Sequence, residues 1–257
     1  VLTLATWNLN SIKARRDRLL GWLARRQPDV VCLQELKVQE EAFPFSELRA
    51  AGYHAAVLGQ KTYNGVAILS REEPNEVLKG MDDGVDDPQA RLVAVRVRGI
   101  EVVSVYVPNG AELGSEKCAY KLEWTRRLRA WLDRRFVATD RLALCGDFNV
   151  APEARDVADP EAWKESVLFH PEMRAALEHI LGFGLVDTLR LHHEEPGLYS
   201  WWDYRRLAFP RNQGLRIDHV FATRALAERC VDASVDRQER KGRQPSDHAP
   251  VLAVFDV

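Results

Sequence analysis

Residues 144–152 read LCGDFNVAP. An apolar, strand-like run stops at Gly146, and a carboxylate, an aromatic ring and an amide follow as Asp147, Phe148 and Asn149. In an extended chain, residues i and i+2 project to the same side. That spacing predicts that Asp147 and Asn149 point at one site while Phe148 packs the other way. Gly146, with no Cβ, leaves room for a second backbone or a ligand to come close.

Working outward, similar strands recur. TLATWNL (3–9) reads as a strand, and Asn10 or Ser11 then caps a helix over 12–26 with Ile12, Leu19, Leu20 and Leu23 on one face. VVCLQE (30–35) and GVAILS (65–70) are buried strands, and RLVAVRV with EVVSVYV forms a hairpin around Arg98-Gly99-Ile100. A long amphipathic helix over 116–137 turns Trp124, Leu128, Trp131 and Leu132 inward, and LALCG (142–146) follows as a strand. A helix over 172–184 closes at glycine, and LRIDHVFAT (215–223), VDASVDR (231–237) and PVLAVF (250–255) complete the strands. Strands placed singly between helices and also in hairpins predict an α/β fold with mixed sheets.

The chain has 257 residues, 46% hydrophobic and 29% charged, with no linker-like tract and no repeat. One domain over 1–257 is expected. No apolar run reaches the ~18 residues of a membrane span, and VLTLATWNLN lacks the basic and apolar regions of a secretory signal. The four cysteines form no CxxC pair, and Cys32 and Cys145 sit inside strand-like runs. Buried, reduced thiols and a cytoplasmic location are the expectation. Net charge is −2, yet positive charge gathers in KARRDR (13–18), at Arg205-Arg206 and in RQERKGR (237–243). Local patches can hold phosphates while the total stays near neutral.

Polar groups terminate strand after strand: Asn8, Gln34-Glu35, Tyr106 with Asn109, Asp147 with Asn149, Asp218 inside RIDHV, and Asp247-His248 before the last strand. Each alone has an ordinary structural explanation. A carboxylate inside a buried strand, such as Asp218, is costly unless paired. Together these endings fit one shared cleft. No GxSxG nucleophile elbow and no GxxxxGK[ST] phosphate loop occurs. Carboxylate and amide oxygens prefer Mg²⁺ or Mn²⁺ to zinc. A hard cation beside a general base suits water attack on a phosphodiester. In that scheme Asp147 takes the water proton, Asn149 holds the water or a phosphate oxygen, and His248, kept cationic by Asp218, stabilises the five-coordinate phosphorus.

The ordered set WNLNSIKAR, PDVVCLQELK, GQKTYNGVAILS, YVPNG, KLEW, GDFNVAP, GLVDTLR, YSWWDYR, GLRIDH and PSDHAPV runs nearly end to end. It resembles the exonuclease III family of apurinic/apyrimidinic endonucleases, within the endonuclease/exonuclease/phosphatase superfamily. The resemblance implies a four-layer α/β sandwich, two mixed β-sheets face to face and flanked by helices. It implies a Mg²⁺-dependent (Mn²⁺ as a substitute) monomer that cuts double-stranded DNA 5′ to abasic sites and clears blocked 3′ ends, with 3′→5′ exonuclease activity common in the family. By position, Glu35 would ligate the metal with Asn8 and Asp247 nearby. Tyr106, Asp147, Asn149, Asp218 and His248 would form the catalytic set. Asn109, Lys117, Arg205 and Arg216 would contact DNA, and Trp201, Leu215 and Ile217 would line a pocket for the flipped-out abasic sugar. Whether Asp147 activates the water, and whether one or two ions act, stays open. A base-free sugar has little stacking to lose, so flipping it is cheap, and a small apolar pocket excludes intact nucleotides by size. Trp202 departs from the phenylalanine common in the family. An inositol-phosphate or sphingomyelin phosphodiesterase shares the metal and Asp-His elements but would lack the WWDYR…GLRIDH segment.

Overall fold

A computed structural model describes residues 1–257. In chain order the strands are β1 (Leu2–Asn8), β2 (Val30–Gln34), β3 (His54–Leu58), β4 (Val66–Ser70), β5 (Glu76–Lys79), β6 (Leu92–Val97), β7 (Ile100–Tyr106), β8 (Leu142–Asp147), β9 (Leu185–Asp187), β10 (Asp218–Thr223), β11 (Cys230–Val235) and β12 (Val251–Phe255). The helices are α1 (Ile12–Arg26), α2 (Phe45–Ala50), α3 (Glu116–Arg135), α4 (Pro160–Trp163), α5 (Pro171–Leu181) and α6 (Arg224–Ala227). Two six-stranded mixed sheets form, ordered β11-β12-β1-β2-β4-β3 and β5-β6-β7-β8-β10-β9. Their inner faces meet over Leu2, Leu4, Val30, Cys32, Val95, Val102, Cys145 and Val220. α1 and α2 cover the first sheet through Trp7, Trp22, Leu23 and Leu48. α3 and α5 cover the second through Trp124, Leu128, Trp131, Met173 and Leu177. The four-layer α/β architecture is the one expected.

Strand pleating decides what reaches the shared rim. Side chains alternate across a strand. Leu4, Thr6 and Asn8 therefore face inward from β1, while Ala5 and Trp7 face α1. The same period leads from Cys145 to Asp147 on β8 and from Val220 back to Asp218 on β10. Cross-strand pairing sets Tyr106 opposite Asp147, and Asp147 opposite Asp218, in one row. Gly146 pairs with Val105 at φ 152°, and a Cβ there would fall 1.9 Å from the Val105 carbonyl oxygen. Only glycine fits between this rim and its neighbouring strand.

Several boundaries move. Ser11, not Asn10, caps α1, its hydroxyl accepting from the Ala14 N–H. Trp22 takes a buried place on the inner face of α1, and Leu20 is only half-buried. α3 ends at Arg135 because Phe136 turns extended and packs edge-on against Trp131. β10 starts at Asp218, since Leu215 bridges instead to Val157 and Trp201.

Candidate active site

Asn8 ties the two sheets together at the rim. Fully buried, its Nδ2 donates to Glu35 Oε1 at 2.9 Å and to Asp147 Oδ2 at 2.8 Å. Its Oδ1 accepts the Asn10 N–H, and the Ser246 hydroxyl donates to its carbonyl. Asn8 was expected near the metal; its two amide N–H groups orient the Glu35 and Asp147 carboxylates. Glu35 stands in the left-handed region, φ 50°, just past β2, and its second oxygen pairs with Lys37 at 3.1 Å. One ligand atom each from Glu35, Asp147 and His248 lies within 4.8 Å of the other two.

His248 is buried between two aspartates. Its Nδ1 meets Asp218 Oδ2 at 2.8 Å and its Nε2 lies 3.7 Å from Asp147 Oδ2. Burial works against its charge, but Asp218, Asp147 and Asp247 outweigh it and raise its pKa to about 10. Burial, with help from Asp218, lifts Asp147 to about 7, against the pull of His248 and the Asn8 and Asn149 hydrogen bonds. A base poised near neutrality suits proton transfer. Asp218 also accepts the Ser200 hydroxyl at 2.6 Å, while its Oδ1 is buried with no partner. Burial, then Glu35 and Asp147, push the Tyr106 phenol well above its usual range, so it stays a donor. The Arg91 guanidinium sits 4.9 Å from the Tyr106 ring centroid.

Asn149 reaches the site by a different route from simple pleating. β8 ends at Asp147, and Asn149 turns left-handed at φ 50° with its N–H bonded to Asp147 Oδ1 at 2.9 Å. Asparagine tolerates that backbone region better than most residues. Its Nδ2 donates to the Val107 carbonyl, and its Oδ1 accepts from Asn109. Phe148 packs into the α3-side core as expected.

Two clefts open beside this cluster. One, of about 640 Å³, runs past Tyr106, Asn109, Arg91 and the exposed Lys117. The other, of about 560 Å³, is lined by Trp163, Trp201, Arg205, Arg206 and Arg211. Trp201 is half-buried, pairs with His248 through a backbone bridge, and donates its indole N–H to Asp247 Oδ2. Asp247 accepts from Asn10 with its other oxygen and is not one of the three residues of the cluster. Leu215 and Ile217 are wholly buried and support Trp201 from behind. Trp202 is fully buried, its indole N–H on Asn212. Arg216 requires a correction: it was expected to contact DNA, but it is 1% exposed and bonded to Asp156 at 2.7 Å and Asp187 at 2.7 Å. No part of it faces a cleft.

Residues 5–248 match the Endonuclease/Exonuclease/phosphatase family. Exodeoxyribonuclease III of Haemophilus influenzae is 34% identical, covering 97% of this chain and 98% of that protein. The chain belongs to this family, on its exodeoxyribonuclease III branch. An AP endonuclease structure from Archaeoglobus fulgidus superposes with TM-score 0.97 at 43% identity, covering all of both chains. A 3′ phosphatase from Neisseria, bound to a product DNA hairpin, gives 0.96 at 41% identity with the same coverage. The family is one of divalent-metal-dependent nucleases, and the cluster of Glu35, Asp147 and His248 accords with such a site. Within it Glu35 and Asp147 offer the carboxylate oxygens that suit a hard cation, while the protonated His248 offers no free ring nitrogen. No helix is long and apolar enough to cross a membrane.

Sequence reasoning passed over Lys121, Asn10 and Trp163, all of which touch the site or its supports. Lys121 left a signal: it falls on the buried stripe of α3 with Trp124, Leu128 and Trp131, where an apolar residue is the rule.

Proposed function

We propose that this DNA-repair nuclease hydrolyses the phosphodiester on the 5′ side of abasic sites in duplex DNA, and also clears blocked 3′ ends. The products of the first reaction are a 3′-hydroxyl and a 5′-deoxyribose phosphate. The carrying observation is the convergence of Glu35, Asp147 and His248, from widely separated parts of the chain, within 4.8 Å. The names of the Archaeoglobus and Neisseria neighbours support the two substrate classes. Four unpaired cysteines accord with action in the cytoplasm.

Glu35 and the facing oxygen of Asp147 would hold Mg²⁺. When bound, that ion supplies charge neutralisation at the scissile phosphate and the leaving oxygen. Asp147, beside the ion, is placed to accept the proton of the attacking water. His248, held cationic by Asp218, faces the charge that develops on the phosphoryl oxygens. Asn149 has one amide N–H spent on Val107 and the second available for a phosphate oxygen. The Tyr106 phenol, kept protonated, donates toward the same group. Lys117, Asn109 and Arg205 hold flanking phosphates, and Trp201 closes the pocket over the base-free sugar.

One end-labelled duplex with a central abasic analogue tests this. An internal nick on its 5′ side, abolished by excess chelator and restored by Mg²⁺, is expected. End-trimming with the abasic strand otherwise intact would refute the endonuclease assignment. An undiminished nick in chelator would remove the metal from it.

A further inference from the structure

The mechanism above leaves without a role a buried cation bonded directly to the Asn109 and Asn149 segments. Lys121 on α3 is 1% exposed. Its Nζ donates to the carbonyls of Asn149 at 2.7 Å, Val167 at 2.7 Å and Asn109 at 3.1 Å. Those acceptors sit on three separate segments: after β7, after β8 and ahead of α5. An ammonium has three N–H bonds and a neutral amine only two, so the charged form alone fills all three. No carboxylate touches it, and burial pushes its pKa down to about 7 while Asp147 opposes that shift. An apolar side chain at this seam would avoid the burial penalty of a charge. The packing is also specific. Gly110 stands at φ +92°, and a Cβ there would lie 2.9 Å from Lys121 Cδ.

What the ammonium gathers is the polar rim itself. Asn109 and Asn149 bond to each other through their side chains, and Asn149 bonds back to Asp147 and Val107. Asn149 is held left-handed within this net. We infer that Lys121 is a positioning residue: its ammonium draws three loop carbonyls to one point and thereby fixes the aim of the Asn149 and Asn109 side chains. This rests on the assignment of those two amides to the scissile and flanking phosphates. Misplacing a positioned group by about 1 Å can lower a rate about 10²-fold.

A double-mutant cycle tests it, read as the single-turnover cleavage rate of an abasic duplex, with duplex affinity and melting temperature measured alongside. Lys121→Met, of similar length but without donors, is expected to lose tenfold or more in rate while folded at the assay temperature. Combined with Asn149→Ala its penalty should shrink to the part that acts through Asn109. Lys121→Arg should recover part of the loss. A Lys121→Met rate equal to that of the unmutated chain, or a penalty fully retained on the Asn149→Ala background, overturns the proposal. Should Lys121→Met fail to fold, Gly110→Ala, whose new methyl would press on the lysine stem, runs the same cycle against the same two criteria. If the unmutated chain cleaves no DNA at all, the function assignment fails instead, and the two failures are told apart.

Discussion

β10 carries two buried charge networks within three residues, and they are built differently. Ahead of the strand, Arg216 and Arg190 face Asp156 and Asp187, two charges against two. Burial tends to raise Asp156, but Arg216 and Arg190 overcome it and hold the carboxyl below its usual range. His219 completes the set: it takes a hydrogen bond from Arg216 on Nδ1 and gives one to the Val150 carbonyl from Nε2. Two residues on, Asp218 joins Asp147, Asp247 and Glu35 around a single imidazolium, with one carboxylate oxygen unbonded. The first network balances its charges, two arginines against two aspartates, as a scaffold pairing does. The second carries surplus negative charge and raised carboxylate and imidazole pKa values, which is how a site that recruits a cation and moves protons is recognised.

The sharpest way to separate the two is to remove charge from each. Asp147→Asn is expected to lower turnover about 10²–10⁴-fold with duplex affinity retained and no fall in melting temperature. Equal turnover would take Asp147 out of the chemistry. Arg216→Met should do the reverse. Leaving Asp156 and Asp187 short of a buried partner is worth about 3–5 kcal/mol of stability, seen as a lower denaturant midpoint at unchanged slope. Turnover per folded molecule should stay within a few-fold, and a large selective loss of turnover would return Arg216 to the DNA interface.

A smaller effect should appear in pH. Burial, reinforced by Arg216, lowers His219 to about 4, below the ~6.5 of an unfolded histidine. Between those values the unfolded chain binds a proton that the folded chain does not, so this residue removes stability as pH falls from about 6.5 to about 4. Denaturant midpoints of His219→Gln across that window should fall less steeply than those of the unmutated chain; parallel curves would show the imidazole charged in the fold. The smallest effect belongs to the exposed rim. Lys117→Ala should weaken duplex binding modestly and reduce the slope of log K against log salt by about 1. An unaltered slope would place Lys117 off the phosphate path.

The layering and most elements were legible because they follow from hydrophobic period. β1, β2, β8 and β10 are marked by apolar runs buried on both faces, and their pleat delivers the polar strand ends to one rim. β3, β5 and β9 were not legible, β3 being a short edge strand beside β4. β5 is an exposed edge with little apolar alternation, and β9 has only three residues. Within the site, the identities of Glu35, Asp147, Asp218 and His248 stood out as polar groups on apolar strands. Their hydrogen-bond roles did not. Asn8 as a bridge and Arg216 as a member of a buried ion-pair network depend on partners far along the chain, such as Asp147 and Asp156. Asn149 was placed by pleating, whereas a left-handed turn puts it there.

The first strand of the molecule is flanked on one side by the last: Leu2 pairs with Phe255 and Thr6 with Val251. His248 sits just ahead of that closing segment. The centre is therefore closed by sequence-distant pairing: the 248–255 segment must dock beside β1 before His248 can meet Asp218 and Asp147.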